Sequence, residues 1–134
     1  MAATIDDNAR KLLEEPNYAV VATLREDGSV HTVVAWQHIE GDKITMNSAE
    51  GRDWPANLRR DPRVTVTVVH RENPYEWVAL RGSVVEDTHE GADEHINALS
   101  KKYIGQDEYP FRQPGEQRIR FVVEPENVVY VKQG

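Results

Sequence analysis

The 134 residues include no cysteine. That absence removes disulfides, thiolate nucleophiles and cysteine-ligated metals together. No apolar run approaches the roughly 18 to 20 residues a membrane span requires. The amino terminus, Met1-Ala2-Ala3-Thr4-Ile5-Asp6-Asp7, carries neither a basic nor an apolar leader. A cytoplasmic protein with no membrane association is expected. Positive charge is scarce: 16 Lys and Arg against 23 Asp and Glu leave a net charge of -7. Such a field opposes nucleic acid, so none is expected as a partner. Motifs are missing too. No serine stands in Gly-x-Ser-x-Gly, the five histidines form no His-Glu-x-x-His, and there is neither a Walker loop nor Gly-x-Gly-x-x-Gly. Serine hydrolase, zinc peptidase, P-loop and Rossmann chemistry are set aside, and no metal site is expected.

What is present is a core. With 39% hydrophobic residues, three Trp and five Tyr, residues 1–134 suffice for one domain. Ile5, Ala9, Leu12 and Leu13 predict a helix over Asp6 to Glu15, ended by Pro16-Asn17. Tyr18 to Arg25 alternates as a strand, Asp27-Gly28 turns it, and Val30 to Ile39 reads as one returning strand. Lys43 to Asn47 follows, then a loop over Ser48 to Arg52. Asp53 is the expected cap of a two-turn helix that stops before Pro62. Val64 to His70 and Trp77 to Val85 read as strands, and Thr88 as the cap of a long helix carrying Ile96, Leu99 and Tyr103 and ended by Gly105. His89 and His95 are expected on a solvated face. Gln106 to Glu116 is a polar loop that could cover something. Ile119 to Val123 and Val128 to Val131 read as two strands hinged at Pro125-Glu126-Asn127. Six or seven antiparallel strands with three helices predict a small, mainly β barrel with flanking helices.

Chemistry concentrates between Met46 and Arg63. Arg52, Arg59, Arg60 and Arg63 place four guanidinium groups around a loop and a helix start, where a phosphate or carboxylate would fit. Arg59, Arg60 and Arg63 are expected to form surface pairs with Asp61 and neighbouring acids. Arg52 lies in the loop, where no helix-surface role explains it, and is the better anion ligand. Trp36, Trp54, Tyr75 and Trp77 suit either a flat-ligand pocket or packing; from composition alone, packing is the reading for each.

Four motifs in order carry a family resemblance: Tyr18-Ala19-Val20-Val21-Ala22-Thr23-Leu24 with Asp27-Gly28; Asn57-Leu58-Arg59-Arg60-Asp61-Pro62-Arg63-Val64; Tyr75-Glu76-Trp77-Val78-Ala79-Leu80-Arg81-Gly82; and Lys102-Tyr103-Ile104-Gly105. Together they resemble the split β-barrel of the pyridoxamine 5'-phosphate oxidase-like superfamily. Within it, the chain is most similar to the actinobacterial flavin/deazaflavin oxidoreductases that depend on F420. The resemblance implies a homodimer with cofactor sites between subunits, and hydride transfer from reduced F420 to a small unsaturated or electron-poor substrate. An FMN-dependent enzyme, or a non-enzymatic barrel binding a cofactor or lipid, is the alternative. By position, His31, Thr32, Val33, Val34 and Ala35 would lie along the ring, with Met46, Asn47 and Ser48 on the neighbouring strand. Arg52 would hold the phosphate, Asn57 stands at the matching helix position, and Trp54 occupies a place where many relatives have Lys. Tyr75 and Trp77 would reach the pocket from the second subunit. No side chain is assigned as catalytic.

Overall fold

A computed structural model describes residues 3–133. The elements run α1 (Asp7–Glu14), β1 (Ala19–Leu24), β2 (Val30–Ala35), β3 (Gln37–Glu40), β4 (Lys43–Ala49), α2 (Asp53–Arg60), β5 (Arg63–Val69), β6 (Glu76–Thr88), α3 (Ala92–Ile104) and β7 (Arg118–Lys132). All seven strands form one antiparallel sheet in the order β2-β1-β5-β6-β7-β4-β3. Its concave side holds one apolar core built from alternate residues of each strand, among them Val21, Ile44, Val66, Leu80 and Phe121. Leu12 and Leu13 of α1 complete it. Asp6 caps α1 by accepting the Ala9 N–H at 2.9 Å. Among the described residues no helix is long and apolar enough to cross a membrane.

The expected strand Val30–Ile39 is two strands, and the break has a large consequence. Trp36 lies outside both, its ring stacked on Tyr103 at 5.3 Å and 5°. The next residue, Gln37, is fully buried; its amide donates to Leu13 O at 3.0 Å and its N–H to the Tyr103 hydroxyl at 3.2 Å. β2 and β3 thus occupy opposite edges of the sheet while a single residue joins them. Seven strands laid flat would separate those edges by about 29 Å, yet Ala35 and Gln37 can be only about 7 Å apart at their Cα atoms. The sheet must therefore curl until its edges converge at Trp36, the split-barrel shape.

Four other expectations are corrected. β7 is one strand, not two, because Pro125 falls opposite Gly82, where the β6–β7 register shifts between Arg81 and Gly82. A Cβ on Gly82 would sit 2.0 Å from Glu124 O, so only glycine admits the approach. Asp53 is the first residue of α2 rather than its cap; Arg52 takes the N-cap without a side-chain hydrogen bond. Thr88 ends β6, its hydroxyl accepting the Glu90 N–H at 3.0 Å, and Gly91 at φ 75° caps α3. The loop expected at Ser48 begins later, since Ser48 and Ala49 still pair with Ile119 and Arg118.

Candidate functional site

A cleft of about 170 Å³ opens where the end of β2, β4, the start of α2, α3 and the 105–117 loop meet. Val34, Ala35, Asn47, Arg52 and Trp54, five of the residues picked from sequence, line it together. Ile96, Leu99, Trp36, Tyr109, Phe111 and Arg118 complete the wall. Its aromatic side is continuous: Tyr109 meets Trp36 edge-on at 5.9 Å and Phe111 meets Tyr109 at 5.7 Å. Trp54, 6% exposed, packs its ring on Phe121 at 5.7 Å while presenting one border to the cleft. A wider depression of about 650 Å³ lies on the convex sheet face between Leu24, Val30, Arg81 and Glu126. No aromatic side chain lines it, so the smaller cleft is the better chemical candidate.

A buried polar chain backs the cleft. Arg118, 3% exposed, donates from Nε to Asn47 Oδ1 at 2.8 Å and from Nη1 to Glu116 Oε1 at 2.6 Å, with its guanidinium 5.1 Å from the Tyr109 ring centre. Because Arg can only donate, Asn47 Oδ1 must face it, and Asn47 Nδ2 then donates to Ala92 O at 2.9 Å. The same Nδ2 lies 3.0 Å from His95 Nδ1, so that nitrogen must be the unprotonated one. His95 Nε2–H donates to Thr45 Oγ1 at 3.0 Å, and that hydroxyl donates to His38 O at 3.2 Å. Burial, and secondarily the positive charge of Arg120, push His95 down to about 4. His95 is therefore a neutral anchor of α3 on β4, contrary to the solvated position expected. His89 does lie exposed, but before α3 rather than on it, with Nε2 2.6 Å from Glu50 Oε2.

The arginines separate as their surroundings dictate. Arg59 binds Glu50 through two hydrogen bonds, at 2.6 and 2.8 Å, and Asp87 through two more; with His89, it holds the Glu50 carboxyl at about 2. Arg63 pairs with Asp61 at 2.7 Å. Arg60 departs from the expected acid pairing and donates to Leu24 O at 2.7 Å and to Asn57 Oδ1 at 3.0 Å. Arg52, half-exposed at the cleft mouth, stands 3.6 Å from Glu116 Oε1. Burial alone would raise the Glu116 carboxyl, but the Gln113 N–H, the Arg118 hydrogen bond and the charges of Arg118 and Arg52 hold it below its ordinary value.

Other residues picked from sequence lie outside the cleft. Met46 is wholly buried in the core, and Ser48 is as completely enclosed. Asn57 is buried and donates to Thr23 Oγ1 at 3.1 Å, tying α2 to β1. His31 and Val33 are partly buried along β2, and Thr32 points outward. Tyr75, 63% exposed, and Trp77 sit at the β5–β6 corner, away from the cleft. Arg118, Glu116, Tyr109 and Phe111 were not picked. Tyr109 and Phe111 had a signal, as aromatics in the one loop suspected of covering something; Arg118 had none, since Arg118-Ile119-Arg120 reads as strand alternation with both arginines outside.

The fold can be compared directly with solved structures. An F420 reductase is similar over 93% of this chain and 98% of its own, at 24% identity and a TM-score of 0.82. HupZ of group A Streptococcus is similar over 98% and 97% at 14% identity and a TM-score of 0.72. General stress protein 26 of Bacillus anthracis covers 93% and 92% at 13% identity and a TM-score of 0.68. The comparison with curated proteins finds no match. The split barrel is thus a fold shared with these proteins at low identity. The pyridoxamine 5'-phosphate oxidase family model matches residues 5–132, a span that includes every wall of the cleft, and the chain belongs to that family.

Proposed function

We propose that the protein is a homodimeric oxidoreductase that holds F420 in this cleft and reduces a small unsaturated or electron-poor organic substrate. The observation that carries the reading is the pairing of an aromatic-walled cleft with Arg52 at the N-cap of α2. Flat rings stack on aromatic walls, while a guanidinium beside the free N–H groups of a helix start suits a phosphate. When bound, the reduced deazaflavin supplies the hydride. The chain binds the anionic end through Arg52, orients the ring against Val34 and Ala35, and keeps the site dry with Trp36, Tyr109 and Phe111. The likeness to an F420 reductase across nearly the whole length of both chains supports the choice of cofactor. One observation favours FMN as the second reading: Arg59 and Arg63 are locked in ion pairs, so few free cations line the path of a long anionic tail.

Two features support the dimer. The cleft's 170 Å³ falls short of the roughly 300 to 1,000 Å³ of small-molecule pockets, so one chain supplies half a site. On the convex face, Val34, Val20, Thr67, Ala79 and Val129 stand opposite one another across five strands, with Val34, Val20 and Val129 71%, 41% and 45% exposed. A row of that kind is the sort of surface a second copy covers. The test is to titrate F420 and FMN separately, following the fluorescence of Trp36 and Trp54. Arg52→Ala is expected to weaken binding by about 1 to 3 kcal/mol, the worth of a charge-assisted hydrogen bond, with the fold intact. Unchanged affinity would place the phosphate elsewhere. Tighter binding of FMN than of F420 would move the function to the flavin enzyme, and no binding of either would favour a carrier of another ligand.

A further inference from the structure

Glu116 occupies the position between two guanidinium groups that a ligand's acid group would take. Its Oε1 lies 2.6 Å from Arg118 Nη1 and 3.6 Å from Arg52 Nη2, and its side chain is only 6% exposed. The two arginines differ in how they are held. Arg118 is fixed without Glu116: Nε is anchored on Asn47 Oδ1, Tyr109 lies over its plane, and the side chain is 2% exposed. Among the described residues its Nη2 group makes no hydrogen bond and is left for a further acceptor. Arg52 is 51% exposed at the mouth of the same cleft.

Glu116, by contrast, belongs to a turn rather than to the sheet. Its N–H donates to Gln113 O at 3.1 Å across Pro114 and Gly115, the latter at φ 75°. Its second carboxylate oxygen accepts the Gln113 N–H at 3.1 Å. The turn therefore holds the carboxylate as one unit, and it lies just before β7 begins at Arg118. A buried, anchored cation, a half-exposed cation and an acid carried on a turn make an arrangement in which the acid can be exchanged. Two guanidinium groups and one carboxylate leave one local positive charge, so a phosphate dianion pairs with them better than the resident acid does.

We propose that Glu116 is an internal competitor for the anionic group of the ligand: that group binds Arg118 and Arg52 by displacing the Glu116 carboxylate. This rests on the reading of the cleft as the ligand site. It assigns Arg118 as a second anion ligand and Glu116 as the residue that selects for strongly anionic ligands, since a neutral one gains nothing from the exchange.

The test is Glu116→Gln, which keeps the shape and the acceptor for Gln113 but removes the competing charge. FMN and riboflavin, which differ in the phosphate, are titrated by tryptophan fluorescence, and inorganic phosphate by the arginine Nε–H NMR signals. The variant is expected to bind FMN and phosphate about 10-fold tighter, the worth of one exchanged charge-assisted bond, with riboflavin unchanged. Equal or weaker FMN and phosphate binding, or an equal gain for riboflavin, overturns the proposal. If the variant does not fold, phosphate added to the native protein must shift the signals of both Arg118 and Arg52; no shift at Arg118 overturns it. If neither flavin binds the native protein but phosphate binds the variant more tightly, the exchange stands and the cofactor reading fails.

Discussion

Acidification from pH 7 to pH 5 should loosen this fold through His95. The Nδ1 of His95 faces the Asn47 amide nitrogen at 3.0 Å, and Arg118 prevents that amide from turning over. A proton on Nδ1 would set two donors against each other in a site only 9% exposed. The folded state therefore holds His95 at about 4, against the 6.5 of an unfolded histidine. Between those values the unfolded chain binds the proton and the folded chain does not. The contribution is complete above pH 6.5 and is lost as pH falls toward 4. The whole gap corresponds to about 3 kcal/mol, of which about 2 kcal/mol is lost at pH 5. The Glu50 and Asp61 carboxyls, both held at about 2, titrate below this window. His38, lowered by burial and by Lys102, adds a share within it. Urea melts at pH 7 and pH 5, followed by tryptophan fluorescence, should show the native protein losing about 2 kcal/mol more than His95→Gln. An equal loss in both would refute the neutral-anchor argument.

Gly82→Ala should destabilise by about 3 kcal/mol in urea melts, because the added Cβ meets the Glu124 carbonyl of β7 head-on and backbone must move; a change below about 0.5 kcal/mol would mean the β6–β7 crossing is looser than described. Val20→Lys, within the mainly apolar row on the convex face, should convert a dimer into a folded monomer by light scattering at micromolar concentration, with the circular dichroism spectrum retained. A native protein of monomeric mass would remove the basis for that row as an interface.

Features that depend on a few neighbouring residues were legible in the sequence. Asp27-Gly28 turned β1 into β2 as expected, Pro62 ended α2, and the alternation from Val64 marked β5. Decisions made by distant contacts were not. Val30 to Ile39 contains no Gly, Pro, Asn or Asp, so no local turn signal says that Trp36 leaves the ladder to stack on Tyr103, 67 residues away in sequence. Pro125 looked like a hinge because its partner across the ladder, Gly82, is 43 residues earlier. For the site, Arg52 could be placed by its position in the loop, and Val34, Ala35 and Trp54 by the family resemblance; all four line the cleft. His95 could have been placed better, since it leads Leu99 and Tyr103 at helical spacing and so shares their buried stripe. Arg118 could not, because its burial depends on Asn47 and Tyr109, which reach it from other elements.

The one-residue link at Trp36 also bears on how this protein avoids self-association through its backbone. An open seven-stranded sheet offers two raw edges, each a template for a foreign strand and hence for fibril growth. Here the two raw edges, β2 and β3, are neighbours in the chain and are drawn together at the Trp36 end. A strand adding to either would have to enter a slit about 7 Å wide at its narrow end, less than two inter-strand spacings. The seam thus shields the Trp36 end of both edges by geometry, where β2, Val30-His31-Thr32-Val33-Val34-Ala35, has neither a proline nor a charged gatekeeper of its own.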